Sequence, residues 1–296
     1  EKLDLLFVPS HTLPLFRPAS LKTVMTIHDL GAEYLPLTHQ LKQRLYLKFI
    51  TNIQMRSATK LIAVSQSTKS DLIKIAKCSP GQIEVIYEGV DQTSPELIKK
   101  DILVNLLSDL DIVYKRYFLF VGTVQPRKNI GRLIKAFDKL LKDHSQKYHD
   151  YKLVIAGGRG WLSEEIYSLP QELKIESQVK FLGRVSDQLL ASLYQGAIAL
   201  TFPSLFEGFG LPVLEAYRYQ LPVVTSKQSS LPEVAGEGAI LVDPYDINAI
   251  AQGMHQVTDI KSSQQLISAG QHQLKQFSWH KAAIETIKLF EEVINE

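Results

Sequence analysis

The chain has 296 residues, of which 45% are hydrophobic and 22% are charged. This length suits about two domains, and the composition excludes a disordered, collagenous or coiled-coil chain. Lys and Arg number 33 against 31 Asp and Glu, and the resulting formal charge of +2 is too even for a nucleic-acid-binding surface. No apolar run approaches the roughly 18 residues of a membrane-spanning helix. The single cysteine, Cys78, excludes an internal disulfide and favours a reducing compartment.

Short apolar runs rich in β-branched and aromatic residues alternate with helical patterns in the first third of the chain. They predict strands at Leu5–Pro9, Thr23–His28, Lys60–Val64 and Ile83–Tyr87. A long helix is predicted around Leu41–Ala58 and a short one after Ser67. Because the first strand begins within five residues of Glu1, which is not an initiator Met, we expect an N-terminal piece of this domain to be missing.

A second series of strands follows the segment Asp91–Arg116, which carries no strand signal. Its five predicted strands are Tyr117–Val124, Lys152–Ala156, Val179–Leu182, Ile198–Phe202 and Val223–Ser226. Between them lie helical patterns, of which Ile130–Leu141 has the clearest apolar stripe. Strands that are apolar on both faces are typical of parallel sheets covered on each side. The sequence therefore predicts an α/β fold of two Rossmann-like, doubly wound parallel-sheet domains, the first one incomplete.

The most specific motif is Phe206–Glu215, which directly follows a predicted strand ending near Pro203. Its glycines, Gly208 and Gly210, allow a sharp turn and let a ligand approach the backbone closely. Leu211 and the proline after it then open a helix, since proline loses no hydrogen bond at that position.

The amides at this helix start should point at one spot. They belong to Phe209, Gly210 and Leu211, and the helix dipole there favours an anion, most naturally phosphate. Glu207 and Glu215 border the same place, where their carboxylates accept hydrogen bonds from sugar or ribose hydroxyls. The alternative interpretation is a tight strand-to-helix turn with two solvated glutamates.

A second motif, Gly122–Asn129, follows the first strand of the second series. Ligands of such sheets bind at the carboxyl ends of the strands. Arg127, a planar fork, and Lys128, a point charge, therefore stand where a diphosphate would bind. They could instead be ordinary surface charges, but basic residues at a helix start oppose the helix dipole, and a bound anion explains them better.

His28, followed by Asp29, ends a predicted strand of the first domain. Its imidazole could exchange a hydrogen bond with a substrate hydroxyl, although a lone histidine is more often structural. Other patterns predict no site. Asp109 and Asp111 have the spacing of a cation-binding motif but lie in the inter-domain segment, and we expect them to be solvated. Gly157–Gly160 does not match the dinucleotide fingerprint, and the histidines lack zinc spacing.

Together these stretches resemble the retaining, two-domain glycosyltransferases of family 4, which have the GT-B architecture. The segments that carry the resemblance, in the family's order, are Thr26–Leu30, Val121–Asn129, Gly183–Val185, Glu207–Glu215 and Phe277–Ala283. The resemblance implies an acceptor-side domain with its linker at 1–110, a donor-binding domain at 111–276, and a C-terminal helix at 277–296 that crosses back to the first domain.

The resemblance also implies roles for the motif residues. Glu215 would hydrogen-bond the ribose of a nucleotide-sugar donor. Glu207 and the amides of Phe209–Leu211 would meet the sugar and the distal phosphate, and Gly208 and Gly210 of the same turn would belong to the donor-binding residues. Lys128 and Arg127 would neutralise the diphosphate leaving group.

Other roles concern the base and the donor sugar. The residues that would lie against the base are Gly183, Arg184 and Val185. His28 would approach the donor sugar from the acceptor domain. Many members carry an arginine directly after the glycine that is Gly122 here, but this chain has Thr123, and we expect Arg127 to take over that role.

The function implied is a metal-independent, retaining transfer of a hexose from a nucleoside-diphosphate sugar to a glycan or lipid-linked acceptor. GDP-mannose is favoured, because Thr26–Leu30 and Pro126–Asn129 look most like mannosyl- and rhamnosyl-transferring members. The donor is a substrate, and no cofactor is expected. We expect cytoplasmic work on a cell-surface polysaccharide, at the inner face of the cell membrane, with peripheral contact through the first domain.

Three alternatives remain open from the sequence. One is a truncated or non-catalytic nucleotide-sugar-binding protein, and another is a UDP-sugar 2-epimerase, which shares the two-domain architecture. The third is a dinucleotide-dependent oxidoreductase, against which the missing fingerprint argues.

Overall fold

The structure, a computed structural model, describes residues 3–10, 12–14, 16–18, 20–30, 53–93 and 95–296. The chain divides into two compact units. The first comprises Glu1–Asp91, Glu207–Phe209 and Phe277–Glu296, and the second comprises Gln92–Phe206 and Gly210–Gln276. Most of the helix predicted around Leu41–Ala58 lies outside the described residues, although 53–57 are helical.

Parallel strands and helices alternate along both units. The strands are β1 (Leu5–Val8), β2 (Lys22–Ile27), β3 (Lys60–Ala63), β4 (Ile83–Val85), β5 (Tyr117–Val121), β6 (Lys152–Ala156), β7 (Val179–Gly183), β8 (Ala199–Phe202), β9 (Val223–Ser226) and β10 (Ala239–Val242). The helices are α1 (Gln66–Lys74), α2 (Lys100–Ser108), α3 (Ile130–Asp143), α4 (Ser145–Tyr148), α5 (Glu164–Leu173), α6 (Asp187–Gly196), α7 (Leu211–Arg218), α8 (Leu231–Ala235), α9 (Ile247–Gln256), α10 (Ile260–Leu274) and α11 (Trp279–Asn295).

The first unit contains a four-stranded parallel sheet in the order β1-β2-β3-β4. All four predicted strands are confirmed, each ending one or two residues earlier than expected. One face of the sheet packs on a core that includes Met25, Ile27, Leu61, Leu72 and Cys78. Burial raises the pKa of the Cys78 thiol, as is typical of a cysteine that packs as a small hydrophobic residue.

The opposite face of this sheet is covered by α11. Its Leu289 and Val293 stand one turn apart and pack with Val24, Ile62 and Ile86. The Phe277–Ala283 segment of the sequence therefore leads into a helix that completes the core of the first unit.

The second unit contains a six-stranded parallel sheet in the order β10-β9-β8-β5-β6-β7. The prediction of five strands here is wrong, because it missed β10. This strand lies at the edge of the sheet and is only four residues long, and its Leu241 is 41% exposed. It therefore lacks the fully buried apolar pattern by which the other strands were recognised. β5 also ends at Val121 rather than Val124, since Gly122 turns the backbone away with a φ of 143°.

The linker after Asp91 contributes helix α2 to the second unit, where Leu107 lies against Gly196 of α6. Helix α3 confirms the predicted apolar stripe, whose buried members are Ile130, Leu133, Ile134, Phe137 and Leu140. The predicted domain limits at residues 110 and 276 stay predictions. Within the described part of the chain, no helix is both long and apolar enough to cross a lipid bilayer.

The order of strands in the second sheet reverses beside β5. From β5 the chain moves outward through β6 and β7, then returns to β8 on the other side of β5 and continues to β9 and β10. In a parallel sheet, the carboxyl ends of the two strands at such a reversal open a crevice that is the usual place for a ligand. The candidate functional site is therefore expected at the carboxyl ends of β5 and β8.

The Gly157–Gly160 run has a structural explanation at this edge. A Cβ on Gly157 would lie 2.0 Å from the carbonyl oxygen of Gly122, while a Cβ on Gly158 would meet nothing within 4 Å. We expect Gly157→Ala to lower the free energy of unfolding by about 1–3 kcal/mol, because backbone atoms must move to admit the methyl group. Gly158→Ala is the matched control and should change it by less than about 0.5 kcal/mol. Urea unfolding measures both, and equal effects would contradict this packing.

Candidate functional site

Lys128 lies at the carboxyl ends of the two strands that flank the reversal. Its ammonium stands 4.9 Å from the centroid of the Phe202 ring, at the end of β8. Its Cε would be 3.6 Å from a Cβ on Gly122, so the aliphatic arm runs beside the residue that follows β5. The structure thus places the Lys128 side chain beside Gly122, with its ammonium at the crevice, and its predicted role beside a diphosphate stays a prediction.

Backbone and side-chain hydrogen bonds join the loops that follow β5 and β8. Arg127 Nη1 donates to the carbonyl of Phe206 over 2.8 Å, and the amide of Leu205 donates to the carbonyl of Arg127 over 2.9 Å. The Arg127 guanidinium therefore helps to fix the loop ahead of the glycine turn. Its predicted role beside a diphosphate stays a prediction.

Asn129 fixes the same region from the start of α3. It precedes that helix in the left-handed conformation, with φ at 61°. Its Nδ2 donates to the carbonyls of Pro203, over 2.9 Å, and Pro244, over 2.6 Å. One amide side chain thus ties the β5 loop to the loops after β8 and β10, which was not predicted from the sequence.

Helix α7 begins at Leu211, with Pro212 in its first turn, as predicted. Gly210 precedes it with a φ of 119°, which glycine adopts without strain. Among the described residues, no acceptor takes a hydrogen bond from the amides of Gly210 and Leu211, the usual state at a helix start. This end of α7 therefore offers donors and a positive dipole to an anion.

Glu215 lies one turn further along α7 and is half-buried. Its Oε2 accepts a hydrogen bond of 2.6 Å from the hydroxyl of Tyr194 in α6. Within the described chain this is the only hydrogen bond to the Glu215 carboxylate. Glu215 is consequently held in place through one of its two carboxylate oxygens.

The predicted base-binding residues lie at the end of β7 and directly after it, at the same edge. Gly183 is the last residue of that strand, and its carbonyl accepts a 2.8 Å hydrogen bond from the amide of Gly157. Arg184 is exposed and Val185 half-buried, while Thr123, after β5, is exposed. The contacts of these side chains with a base or a phosphate stay predictions.

In the first unit, both ring nitrogens of His28 face acceptors. Nδ1 lies 2.8 Å from Glu88 Oε1, and Nε2 lies 3.2 Å from the carbonyl of Pro9. The hydrogen bond to Glu88 raises the pKa of His28, because both acceptors favour the protonated imidazolium. His28 was a candidate from the sequence, but Glu88 was not predicted as its partner.

Residues Glu207–Phe209 pack within the first unit. A Cβ on Gly208 would lie 1.9 Å from the carbonyl oxygen of His28, so only glycine fits there. Phe209 packs against the rings of Tyr87 and Phe277. Glu207 is 7% exposed, which excludes the interpretation of Glu207 as a solvated surface residue.

Ion pairs with lysine side chains, rather than a metal cation, explain the position of Asp111. Its carboxylate contacts the ammonium groups of Lys152 and Lys180, and these bonds lower its pKa to about 2. In the part of the chain that the structure describes, no cluster of three His, Cys, Asp or Glu side chains is arranged to hold a metal ion. Independence from metal stays a prediction.

Family models match both parts of the chain. The model of the group 1 glycosyl transferases matches residues 111–273, and that of glycosyltransferase family 4 matches residues 1–94. The chain belongs to the group 1 glycosyl transferases. Its two parallel-sheet Rossmann-like domains have the GT-B fold: the Anabaena HepE structure with UDP-glucose aligns with a TM-score of 0.77 at 21% identity, over 92% of this chain and 72% of that one.

Several curated relatives of this glycosyl transferase are named mannosyltransferases. O-antigen chain mannosyltransferase B of Escherichia coli is 30% identical over 270 residues, which cover 91% of this chain and 70% of the relative. O-antigen chain mannosyltransferase RfbU of Salmonella typhimurium is 31% identical over 236 residues, which cover 80% of this chain and 60% of the relative. These names do not favour the epimerase, the binding protein or the oxidoreductase.

The sequence of this glycosyl transferase did not reveal the hydrogen-bond partners of the predicted site residues His28 and Glu215. Glu88 and Tyr194 lie far along the chain from His28 and Glu215, and no short motif links them. A signal existed for Tyr194, because its hydroxyl needs a partner once the helical pattern buries the ring.

The ion pair of His28 gives a pH-dependent contribution to stability. A raised folded-state pKa means that this contribution is full below the unfolded value of 6.5 and is lost as the pH rises through the folded value. Glu88→Gln should therefore lower the free energy of unfolding more at pH 6 than at pH 8.5. The difference should be at most about 1 kcal/mol, because the His28 side chain is 45% exposed.

Urea unfolding at the two pH values measures this difference. The matched control is Glu84→Gln, the same substitution at an exposed glutamate of β4. An effect of Glu88→Gln that is equal at both pH values, or larger at pH 8.5, would contradict the pairing.

Proposed function

We propose that this protein binds a nucleoside-diphosphate sugar at the carboxyl edge of the second-unit sheet and transfers its hexose to a glycan or lipid-linked acceptor, with retention of the anomeric configuration. The observation that carries the proposal is the strand reversal between β5 and β8, at which Lys128 and the start of α7 both stand. GDP-mannose is the proposed donor, because two of the curated relatives are named O-antigen chain mannosyltransferases.

The charges at this edge suit a departing diphosphate. The Lys128 ammonium supplies a point charge, and the amides of Gly210 and Leu211 supply donors at the positive end of the α7 dipole. Such fixed groups stabilise negative charge as it develops, with no need for a cofactor. The bond from the sugar C1 to the phosphate oxygen breaks, the bond from C1 to the acceptor oxygen forms on the same face, and the acceptor proton passes to the departing phosphate. The anomeric signal of the product in an NMR spectrum distinguishes retention from inversion.

Glu215 suits the ribose of the donor. Its Oε2 is bonded to Tyr194, so Oε1 is the oxygen left to accept hydrogen bonds from ribose hydroxyls. In the first unit, His28 lies against Gly208, the residue after Glu207, and we assign the side chains of His28 and Glu207 to the donor sugar. Gly183, Arg184 and Val185 are assigned to the base.

The proposal also covers the acceptor and the location of the protein in the cell. The names of the relatives concern O-antigen chains, which are cell-surface polysaccharides. We therefore propose cytoplasmic work at the inner face of the cell membrane, with peripheral contact through the first domain.

Lys128→Ala tests the diphosphate site. We expect it to weaken GDP binding about 10- to 100-fold, the loss for a charge-assisted hydrogen bond, while guanosine binding changes by less than about twofold. Isothermal calorimetry measures both ligands. The matched control is Lys142→Ala at the far end of α3, about 20 Å from its start, which should leave GDP binding unchanged. Equal losses for GDP and guanosine in Lys128→Ala would refute the phosphate role.

A further inference from the structure

Tyr194 contacts Glu215, the one carboxylate to which we assign the ribose of the donor. Its hydroxyl donates to Glu215 Oε2 over 2.6 Å, and the tyrosine itself is 2% exposed. Burial, with the neighbouring carboxylate, raises the pKa of Tyr194 well above 10. The phenol therefore stays protonated and remains a donor at any physiological pH.

Ring stacking fixes the position of this phenol. The Tyr194 ring stacks on Tyr219, the C-cap residue directly after α7, with centroids 5.6 Å apart and planes within 4°. Tyr219 lies one turn beyond Glu215, so α7 carries both the carboxylate and the ring that supports its donor.

The helix turn that carries Tyr194 is also held. The hydroxyl of Tyr117 in β5 donates to the carbonyl of Leu193 over 2.6 Å. Lys115 Nζ donates to the carbonyls of Gln195, over 3.1 Å, and Ala197, over 2.7 Å. The backbone is thus bonded on both sides of Tyr194, at the end of α6.

We propose that Tyr194 is a positioning residue that holds Glu215 with Oε1 presented to the ribose hydroxyls of the donor. This inference rests on the proposed function and names a residue that acts through Glu215. A free glutamate side chain samples several rotamers and loses that freedom when it binds a ligand. In this protein the freedom is already lost before binding, so the carboxylate is preorganised for ribose.

A purely structural role makes a different prediction. A buried tyrosine needs a partner for its hydroxyl, and Glu215 could serve only for that purpose. Removal of the hydroxyl would then affect stability, but it would not alter how the protein distinguishes ribose from a sugar that lacks hydroxyls.

The test compares Tyr194→Phe with the unaltered protein in calorimetric titrations with GDP, UDP and their 2′,3′-dideoxy counterparts. The readout is the ratio of affinities between each nucleotide and its dideoxy form. For the nucleotide that binds, we expect Tyr194→Phe to lower this ratio about 3- to 10-fold, which is the effect of one hydrogen bond. Glu215→Ala should abolish the preference, so that the ratio falls to about one. Tyr219→Leu, which keeps the phenol but removes the stacked ring, should lower the ratio by a smaller factor.

Tyr148→Phe is the matched control, since Tyr148 is a buried tyrosine of the same unit whose hydroxyl bonds His255 and Thr258. It should leave the ratio unchanged. The positioning role alone would be overturned if Glu215→Ala abolishes the preference for ribose while Tyr194→Phe and Tyr219→Leu leave the ratio unchanged. A ratio unaffected by Glu215→Ala, or no binding of either nucleotide to the unaltered protein, would overturn the proposed donor site together with this inference.

Discussion

The reversal of strand order between β5 and β8 sets the geometry of everything at the carboxyl edge of the second sheet. The chain leaves both strands at the same place, so two loops that are 79 residues apart in sequence come close enough for Arg127 to bond the carbonyl of Phe206. Asn129 adds bonds to the loops after β8 and β10. A rigid edge results, and loops fixed in this way can present amides and a lysine to a ligand without reorganisation.

The two basic residues of the Pro126–Asn129 turn divide the work at this edge. Arg127 has a planar fork suited to directed hydrogen bonds, and one of its nitrogens bonds the backbone of the neighbouring loop. Lys128 reaches the strand ends as a compact point charge. The Arg127 guanidinium fixes the loop, while the Lys128 ammonium stands at the crevice. These two different tasks are a physical reason for an arginine and a lysine in adjacent positions. The two also resist exchange for one another, because lysine cannot reproduce the geometry of the fork.

Local patterns in the sequence predicted the elements and the turns well. Strands β1 to β4, the stripe of α3 and the start of α7 at Leu211 follow from periodicity and from the placement of glycine and proline. β10 was missed, because a four-residue edge strand with an exposed leucine gives little signal. The partners of the site residues could not be predicted, since Glu88 bonds His28 across 60 residues and Tyr194 bonds Glu215 across 21. Such pairs depend on how the sheets order their strands rather than on any local spacing.

A calorimetric titration with GDP, UDP, ADP and dTDP, in the absence of added metal, tests most directly whether the second-unit edge binds a nucleoside diphosphate. We predict that one of the four binds with a dissociation constant well below about 1 mM, a binding free energy more favourable than about −4 kcal/mol, and that Glu215→Ala weakens this binding. If none of the four binds more tightly than about 1 mM, or if Glu215→Ala binds as the unaltered protein does, the donor site is not where the strand reversal places it.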